Sequence, residues 1–289
     1  MAIDLHTHTV YSDGTLTPEE LVKLAKDENL TSIAITDHDT TAGLEDAIYW
    51  GIKYGVQIVP GIELSIDCAL PHNGHMHLVG LFIDYKNDYL NQTLEFLRRE
   101  RDTRNRKIIK ILGEKDMPIS LQELRNEAGE GSIGRPHIAR VLFKKGYVSS
   151  VQVAFEKLLQ KGAPAYVEKV KLDRQKGIQL IKQSGGISIL AHPGLLGYDT
   201  QEEITGEVLQ LKELGLEGIE VYSSLQNQEL ITWLKDFAQE QGLLISGGSD
   251  FHGENKNGVR LGSGRGNLHI PDEIYKRLVT YHNSKSSRK

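Results

Sequence analysis

Short apolar segments alternate with amphipathic helical patterns along most of this 289-residue chain. The first strand is predicted over residues 3–8, and the next helix begins at Thr17, where a threonine cap, Pro18 and Glu20 form a typical helix start. Further strands are predicted over residues 31–36, 56–65, 76–83, 187–191, 218–222 and 243–247, with helices between most of them. This rhythm of about seven strands predicts a parallel α/β fold.

The alternation stops between residues 91 and 170, where all the patterns are helical. Helices predicted over residues 94–113, 121–128, 136–145 and 151–161 would form an all-helical insertion. The flanking residues 1–90 and 171–283 then make one discontinuous α/β domain, with a last helix over 272–281. The polar residues 284–289 are expected to be a disordered tail.

The composition excludes several classes of protein. The chain has 25% charged and 39% hydrophobic residues, which is typical of a soluble globular protein, and no segment approaches the ~18 apolar residues of a membrane span. No secretory signal follows Met1. A net charge of -5 excludes a strongly basic surface that coats nucleic acid, and a single cysteine, Cys68, favours a reducing compartment. We therefore expect a cytoplasmic protein that does not enter the membrane.

Histidines and acids recur next to the predicted strands. Most of these candidates lie at or near the C-terminal end of a strand, where barrel enzymes build their active sites. His77 is the exception, because it lies near the start of its strand. The candidate metal ligands, in chain order, are His6, His8, Asp13, His38, Glu63, His77, His192, Asp250 and His252.

The residue types and their spacing indicate a metal centre. Side chains at positions i and i+2 of a strand point the same way, so His6 and His8 could bind one ion, and Asp13 follows in a glycine-containing turn. Imidazole nitrogens mixed with carboxylate oxygens suit Mn, Fe or Zn, and nine such ligands are enough for three ions. Each motif alone is often structural, but their recurrence at strand ends favours metal binding. His75 shares a strand face with His77, so spacing alone does not choose between them.

A resemblance to a known family rests on seven short motifs. They are Asp4-Leu-His-Thr-His-Thr, Ser12-Asp-Gly, Ala34-Ile-Thr-Asp-His-Asp, Gly61-Ile-Glu-Leu-Ser, His77-Leu-Val-Gly, Ala191-His-Pro and Gly248-Ser-Asp-Phe-His. In this order they resemble the polymerase and histidinol phosphatase (PHP) family. The resemblance implies a distorted (β/α)₇ TIM-like barrel with a trinuclear metal site.

The resemblance also implies how the ligands are shared. Two to three divalent transition-metal ions are expected, and a metal-bound hydroxide near Glu63 would attack phosphorus without a side-chain nucleophile. The resemblance favours His77 over His75 and leaves Asp37 as an outer residue. The implied sets, with Glu63 bridging the first two ions, are His6, His8 and Asp250; Glu63, His77 and His192; and Asp13, His38 and His252.

The insertion contains a further motif, Gly134-Arg-Pro-His, at a predicted helix start. Free N–H groups at a helix N-terminus and the forked cation of Arg135 could bind phosphate, although an ordinary helix start fits the same residues equally well. The family subgroup with this insertion removes the 3′-phosphate from nucleoside 3′,5′-bisphosphates, and some members trim short RNA from its 5′ end. The resemblance implies that Arg135 and His137 contact substrate phosphate.

The sequence thus predicts a metal-dependent phosphoesterase that acts on nucleotide phosphate monoesters or short RNA ends, with no obligate protein partner. Two alternatives stay open. A histidinol-phosphate phosphatase would share the metal motifs but is not expected to carry the insertion, and a non-catalytic PHP regulatory module usually loses ligand positions. A basic run from Arg98 to Lys110 is expected to be a solvated helix face, with RNA binding as the alternative.

Overall fold

A nearly closed barrel forms the body of the molecule in the computed structural model, which describes residues 2–129 and 131–286 except the side chains of Asn73 and Ser286. Within these ranges, seven strands follow one another around the barrel, and a two-residue strand pairs with the end of one of them. The predicted barrel architecture is confirmed, and the two-residue strand is an addition to it. The strands around the barrel are β1 (Ala2–Thr7), β2 (Leu30–Ile35), β3 (Gln57–Asp67), β4 (Met76–Leu81), β6 (Ile187–Leu190), β7 (Gly218–Ser223) and β8 (Leu244–Gly248). The two-residue strand is β5 (Leu172–Asp173), which pairs with β3.

Helices cover the outside of the barrel and form the insertion between β4 and β5. In the described residues, no helix is long and apolar enough to cross a membrane. The helices along the barrel are α1 (Pro18–Asp27), α2 (Leu44–Tyr54), α7 (Arg174–Gln183), α8 (Gln201–Glu213), α9 (Gln228–Glu240) and α10 (Asp272–Ser286). Those of the insertion are α3 (Asp88–Gly113), α4 (Leu121–Ala128), α5 (Arg135–Lys144) and α6 (Val151–Ala154), which continues as a π-helical turn over Phe155–Leu159.

Local sequence explains where the first two helices begin and end. Thr17 accepts a hydrogen bond from the N–H of Glu20, whose side chain accepts one from the N–H of Thr17, so the predicted cap of α1 is confirmed. Helix α2 ends where Gly55 adopts a φ of 73°, a left-handed conformation that glycine adopts without steric cost. The start of α1 and the end of α2 are therefore determined by signals within one turn of the chain.

The barrel closes between β1 and the segment directly after β8. The N–H of Asp250 donates to the carbonyl of His6 at 2.9 Å, and the N–H of His8 donates to the carbonyl of Phe251 at 2.9 Å. A Cβ on Gly248 would lie 2.2 Å from the Cβ of His6, so a glycine is required where the two backbones meet. This closure brings the histidines of β1 next to the candidate ligands that follow β8.

Strand β4 runs antiparallel to both of its neighbours, β3 and β6, so the expectation of an all-parallel sheet is wrong at this strand. The physical reason is the connection. Residues 68–75 between β3 and β4 are too few for the helical crossover that a parallel neighbour requires, so the two strands pair as a hairpin. As a consequence, the start of β4 lies at the same end of the barrel as the carboxyl ends of the other strands. The position of His77 near the start of its strand is thereby explained.

The insertion has a hydrophobic core of its own, formed mainly by side chains after the middle of α3. The first half of α3 packs instead against the barrel core through Leu90, Leu94 and Leu97. Helix α3 also begins at Asp88, before the expected start, because Asn87 accepts a hydrogen bond from the N–H of Leu90. The two hydrophobic cores therefore do not separate at residue 91.

The last helix is longer than predicted. Helix α10 continues to Ser286, so residues 284–286 are helical rather than part of a disordered tail. Lys285 gives the reason, because its Nζ donates to the carbonyl of Gly186 at 2.8 Å and to Oε1 of Glu217 at 2.7 Å. Residues 287–289 of the predicted tail lie outside the described residues.

Candidate metal centre

The nine residues that the sequence analysis singled out all lie at one end of the barrel. They occur there in overlapping groups, and within each group the potential ligand atoms lie within 4.8 Å of one another. The groups are His6, His8 and Asp250; His8, Asp13, His38 and His252; His38, Glu63 and His77; and His75, His77 and His192.

The carboxylate of Glu63, on β3, lies at the centre of this cluster and is 1% exposed. Five imidazoles surround it. Its Oε2 lies 3.3 Å from His6 Nε2, 3.2 Å from His8 Nε2 and 3.0 Å from His38 Nδ1. Its Oε1 lies 2.9 Å from His77 Nδ1 and 3.1 Å from His192 Nε2. A carboxylate shared in this way has the position of a ligand that bridges two ions.

The remaining acids lie on either side of His8. Oδ1 of Asp250 lies 3.4 Å from His8 Nε2 and 3.7 Å from His6 Nε2. Oδ1 of Asp13 lies 3.3 Å from His252 Nε2, and its Oδ2 lies 3.9 Å from His38 Nε2. These two arrangements contain the residues of the first and third ligand sets that the resemblance implies.

Buried polar atoms without partners test whether this cluster fits metal ions. Buried polar groups in native proteins nearly always form hydrogen bonds, so unpaired ones require an explanation. A set of nitrogen and oxygen atoms that point at one another without bonding is explained by cations between them, and the donor types suit Mn, Fe or Zn. Among the described residues, six buried atoms of the cluster find no hydrogen-bond partner of suitable geometry: His6 Nε2, His8 Nε2, Asp13 Oδ1, His38 Nδ1, Glu63 Oε2 and His192 Nδ1.

The protonation states of the acids and of His38 are those that metal binding needs. Burial acts to raise the pKa of Glu63, but His38, His77 and His6 hold it well below its usual range. Burial lowers the pKa of His38 to about 3, so its ring is neutral at pH 7. Ionised carboxylates and neutral imidazoles are the forms that ligate metals.

His8 has the opposite shift, and this links metal binding to proton release. Burial acts to lower its pKa, but the carboxylates of Glu63 and Asp250, 3.2 Å and 3.4 Å from its Nε2, outweigh burial and raise the pKa to about 10. Without a metal ion nearby, the two carboxylates therefore keep the His8 ring protonated at pH 7. A metal ion that binds here must displace that proton.

His75 and His77 differ in their surroundings. The ring of His75 is exposed and lies 5.1 Å from that of His77 and 5.6 Å from that of His192. His77 contacts the central Glu63, whereas His75 belongs to a group with His77 and His192 at the rim. His75 is therefore a further candidate ligand from the solvent side.

Glu220, on β7, is a site residue that the sequence analysis missed. Its Oε1 lies 3.0 Å from Nδ1 of His6, and its Oε2 accepts a hydrogen bond from the N–H of His192 at 2.7 Å. An acid within the otherwise apolar strand Gly218–Ser223 was the available signal. Asp37 also lies behind the ligands, where its carboxylate accepts hydrogen bonds from Thr9 and Ser12.

A group of cations from the insertion lies beside this cluster; we call Arg101, Arg104, Arg135 and Lys169 the basic cluster. Arg101 and Lys169 both bind Oδ2 of Asp39, at 2.7 Å and 2.6 Å. Arg104 is 6% exposed, and its Nε has no hydrogen-bond partner in the part of the chain that the structure describes. Burial and the nearby Arg135 and Arg101 lower the pKa of Arg104 to about 10. Asp39 neutralises part of this positive charge, and the remainder can bind an anion.

The basic run on α3 is therefore divided between two faces, which corrects the expectation of one solvated face. Arg101 and Arg104 are buried against the barrel. Arg98 and Arg99 are exposed and pair with Glu95. The helical period explains this division, because residues three positions apart lie on the same face.

Arg135 and His137 lie in the first turn of α5, which begins at Arg135, one residue before the predicted start. Nη1 of Arg135 donates to the carbonyl of Leu159 at 3.1 Å, and its guanidinium lies 5.6 Å from the ring centre of Tyr166. Nδ1 of His137 accepts a hydrogen bond from the N–H of Gly134 at 2.9 Å. His137 therefore caps its own helix, and this ring orientation is fixed by the fold.

Comparison with known proteins agrees with this geometry. Residues 4–168 match the PHP domain family. The chain is 34% identical over 254 residues to the 5′-3′ exoribonuclease Rnm of Escherichia coli K12, covering 86% of this chain and 84% of that protein. It is 31% identical over 262 residues to a 3′,5′-nucleoside bisphosphate phosphatase of Chromobacterium violaceum, covering 90% of each.

A solved structure gives the same result for the fold. An amidohydrolase from Chromobacterium violaceum, with bound sulfate and no metal, superposes with a TM-score of 0.81 at 29% sequence identity, covering 97% of this chain and 96% of that one. The family match covers six of the nine candidate ligands, from His6 to His77, and most of the helical insertion, and the other three, His192, Asp250 and His252, follow it in the chain. The chain belongs to the PHP-domain family.

Proposed function

We propose that this protein is a metal-dependent phosphoesterase that removes the 3′-phosphate from nucleoside 3′,5′-bisphosphates. The observation that carries the proposal is that two sites able to bind phosphate adjoin each other, the first of them through metal ions. One is the cluster of nine candidate ligands around Glu63, and the other is the basic cluster. A substrate with two phosphate groups matches two such sites.

The two sites are close to each other. Lys169 donates to Oδ2 of Asp39, the residue after His38. Burial lowers the pKa of His77, and the charge of Lys169 adds to this shift. Burial lowers the pKa of His137 to about 4, and the nearby carboxylate of Asp13 acts against this shift. Candidate metal ligands and candidate phosphate-binding residues therefore lie near one another, which supports one substrate that spans both.

The chain's own residues divide the work between the two sites. Two to three ions of Mn, Fe or Zn, when bound by the nine ligands, supply a Lewis acid for phosphoryl oxygens and lower the pKa of water. Glu63 holds the ligands from β1, β2, β4 and β6 around one point, and Glu220 orients His6. Arg104, Arg135 and Lys169 then bind the phosphate that is not cleaved, through charge-assisted hydrogen bonds.

A side-chain nucleophile has little support. Burial raises the pKa of the Cys68 thiol, which keeps it protonated and unreactive at pH 7. Ser12 is buried, and its hydroxyl donates at 2.5 Å to Asp37, which lies behind the candidate ligands. Attack by water is the mechanism that agrees with these contacts.

The relatives distinguish among the alternatives. The Chromobacterium protein is a 3′,5′-nucleoside bisphosphate phosphatase and the Escherichia protein a 5′-3′ exoribonuclease. Both activities favour a nucleotide substrate over histidinol phosphate, and short 5′-phosphorylated RNA is a second substrate of the same site. Retention of all nine candidate ligands argues against a non-catalytic module.

A substrate panel tests the proposal. Protein stripped of metal is reloaded with Mn²⁺, and its metal content is measured by elemental analysis. Hydrolysis is then followed with four substrates: adenosine 3′,5′-bisphosphate, histidinol phosphate, p-nitrophenyl phosphate and a 5′-phosphorylated RNA trinucleotide. We expect two or three ions per chain and the highest kcat/KM with the bisphosphate. Fewer than one ion per chain with no activity, or a preference for histidinol phosphate, would refute the proposal.

A further inference from the structure

The helical insertion is tied by side chains to a loop that carries candidate metal ligands. On α5, Nη1 of Arg140 donates to Oδ1 of Asn255 at 2.9 Å. Asn255 follows β8, and its Nδ2 donates to the backbone carbonyl of Asp13 at 2.7 Å. Two hydrogen bonds thus connect α5 to Asp13, whose carboxylate lies 3.3 Å from His252.

A second helix of the insertion holds Arg140 in place. Nε of Arg140 donates to Oε1 of Glu127, on α4, at 2.7 Å. Lys144 binds the other oxygen of Glu127 at 2.7 Å, and its side chain is 66% exposed. Arg140 and Lys144 therefore share one carboxylate on one helix, but the contact to Asn255 belongs to Arg140.

The two loops that this connection joins fit together with little free space. The N–H of Glu254 donates to Oγ1 of Thr15 at 3.1 Å, and a Cβ on Gly253 would lie 1.9 Å from the same atom. On the insertion side, the N–H of Ser132 donates to the carbonyl of Tyr11 at 3.1 Å. Closely packed segments move together, so a shift of α5 also moves the loop of Asp13.

Helix α5 also carries Arg135 and His137, the candidate phosphate-binding residues. We propose that Arg140 and Asn255 are positioning residues that couple phosphate binding at α5 to metal binding at Asp13. A phosphate at α5 orders the Asp13 loop for a metal ion, and the metal ion orders α5 for phosphate. Linkage requires the two effects to be equal in size. This inference rests on the proposed function, since it takes the α5 site to bind a substrate phosphate.

Calorimetry measures the coupling directly. Mn²⁺ is titrated into the metal-depleted full chain with and without adenosine 5′-monophosphate, which supplies a 5′-phosphate and lacks the 3′-phosphate. For the wild type we expect the nucleotide to tighten Mn²⁺ binding at least about fivefold, the lower end of typical coupling. Asn255→Ala and Arg140→Met should bring this ratio to about one, and Lys144→Met should keep the wild-type ratio.

Two results overturn the inference. The first is that the nucleotide leaves the Mn²⁺ affinity of the wild type unchanged. The second is that Asn255→Ala and Arg140→Met both keep the wild-type ratio of Mn²⁺ affinities, because the phosphate then acts on the metal ions without the Arg140–Asn255 contact. Asn255→Asp, which still accepts from Arg140 but no longer donates to Asp13, serves if Asn255→Ala does not fold. Failure of the proposed function is a different result, namely a Mn²⁺-loaded wild type that does not hydrolyse adenosine 3′,5′-bisphosphate.

Discussion

Oε1 of Glu220 lies 3.0 Å from Nδ1 of His6, which leaves Nε2 of the same ring facing Glu63 at 3.3 Å. The other oxygen of Glu220 accepts the N–H of His192 at 2.7 Å. One buried carboxylate on β7 therefore orients two candidate ligands that come from different strands. A carboxylate behind a ligating imidazole fixes the orientation of the ring and makes it more basic.

Replacing Glu220 tests this role. We expect Glu220→Gln to weaken Mn²⁺ binding by about 10–100-fold, the usual effect of losing a residue that orients a metal ligand. Calorimetric titration of the metal-depleted protein gives the affinity. Glu217→Gln is the control, because Glu217 binds the N–H of Ser188 and the hydroxyl of Tyr281 rather than a candidate ligand. Equal affinities for the two variants would show that Glu220 has no such role.

Arg135 should determine selectivity between substrates. A charge-assisted hydrogen bond contributes about 1.5–3 kcal/mol, so Arg135→Ala should lower kcat/KM for adenosine 3′,5′-bisphosphate roughly tenfold to a few hundredfold. Because p-nitrophenyl phosphate has no second phosphate, its hydrolysis should change far less. Arg106→Ala, an exposed position on α3, is the control. An equal loss on both substrates would mean that Arg135 contacts the phosphate that is cleaved.

The basic cluster predicts a pH dependence. Burial lowers the pKa of Lys169 to about 8, although the neighbouring Asp39 acts against this shift. As the pH rises through 8, Lys169 loses its charge and attracts phosphate less. The ratio of kcat/KM for the bisphosphate to kcat/KM for p-nitrophenyl phosphate should therefore fall above about pH 8.

The ratio is measured because titrations at the metal centre affect both substrates and cancel. Lys169→Arg keeps a positive charge at all pH values used, so its ratio should stay level across this range. A ratio that falls equally in wild type and Lys169→Arg would assign the pH dependence to another group.

Asp39 should be important for stability. Its carboxylate is 2% exposed and binds Arg101 and Lys169, so Asp39→Ala leaves two cations without their partner. We expect a loss of about 3–5 kcal/mol in the free energy of unfolding, measured by urea denaturation. The control Glu95→Ala breaks two ion pairs of exposed arginines and should cost at most about 1 kcal/mol. Similar losses for the two variants would contradict this explanation.

Much of the fold and the site followed from local patterns. The cap at Thr17 determined where α1 begins, and the left-handed Gly55 determined where α2 ends, because both signals act within one turn of the chain. Most candidate ligands could be identified because they lie at or near the C-terminal end of a strand, and the strand ends of a barrel converge whatever the register. The insertion was visible as a change of hydrophobic period.

Other features depend on contacts between distant segments, and local patterns did not determine them. Strand β4 is antiparallel because its short connection to β3 allows a hairpin and no crossover, and this orientation brings His77 to Glu63. Glu220 lies 214 residues from the His6 that it orients. In the basic run of α3, the sequence determined the charges, and packing against the barrel decided that Arg101 and Arg104 are buried. The charge of a residue and the hydrophobic period of a segment are local properties of the sequence. Burial and side-chain pairing depend on which separate elements pack together.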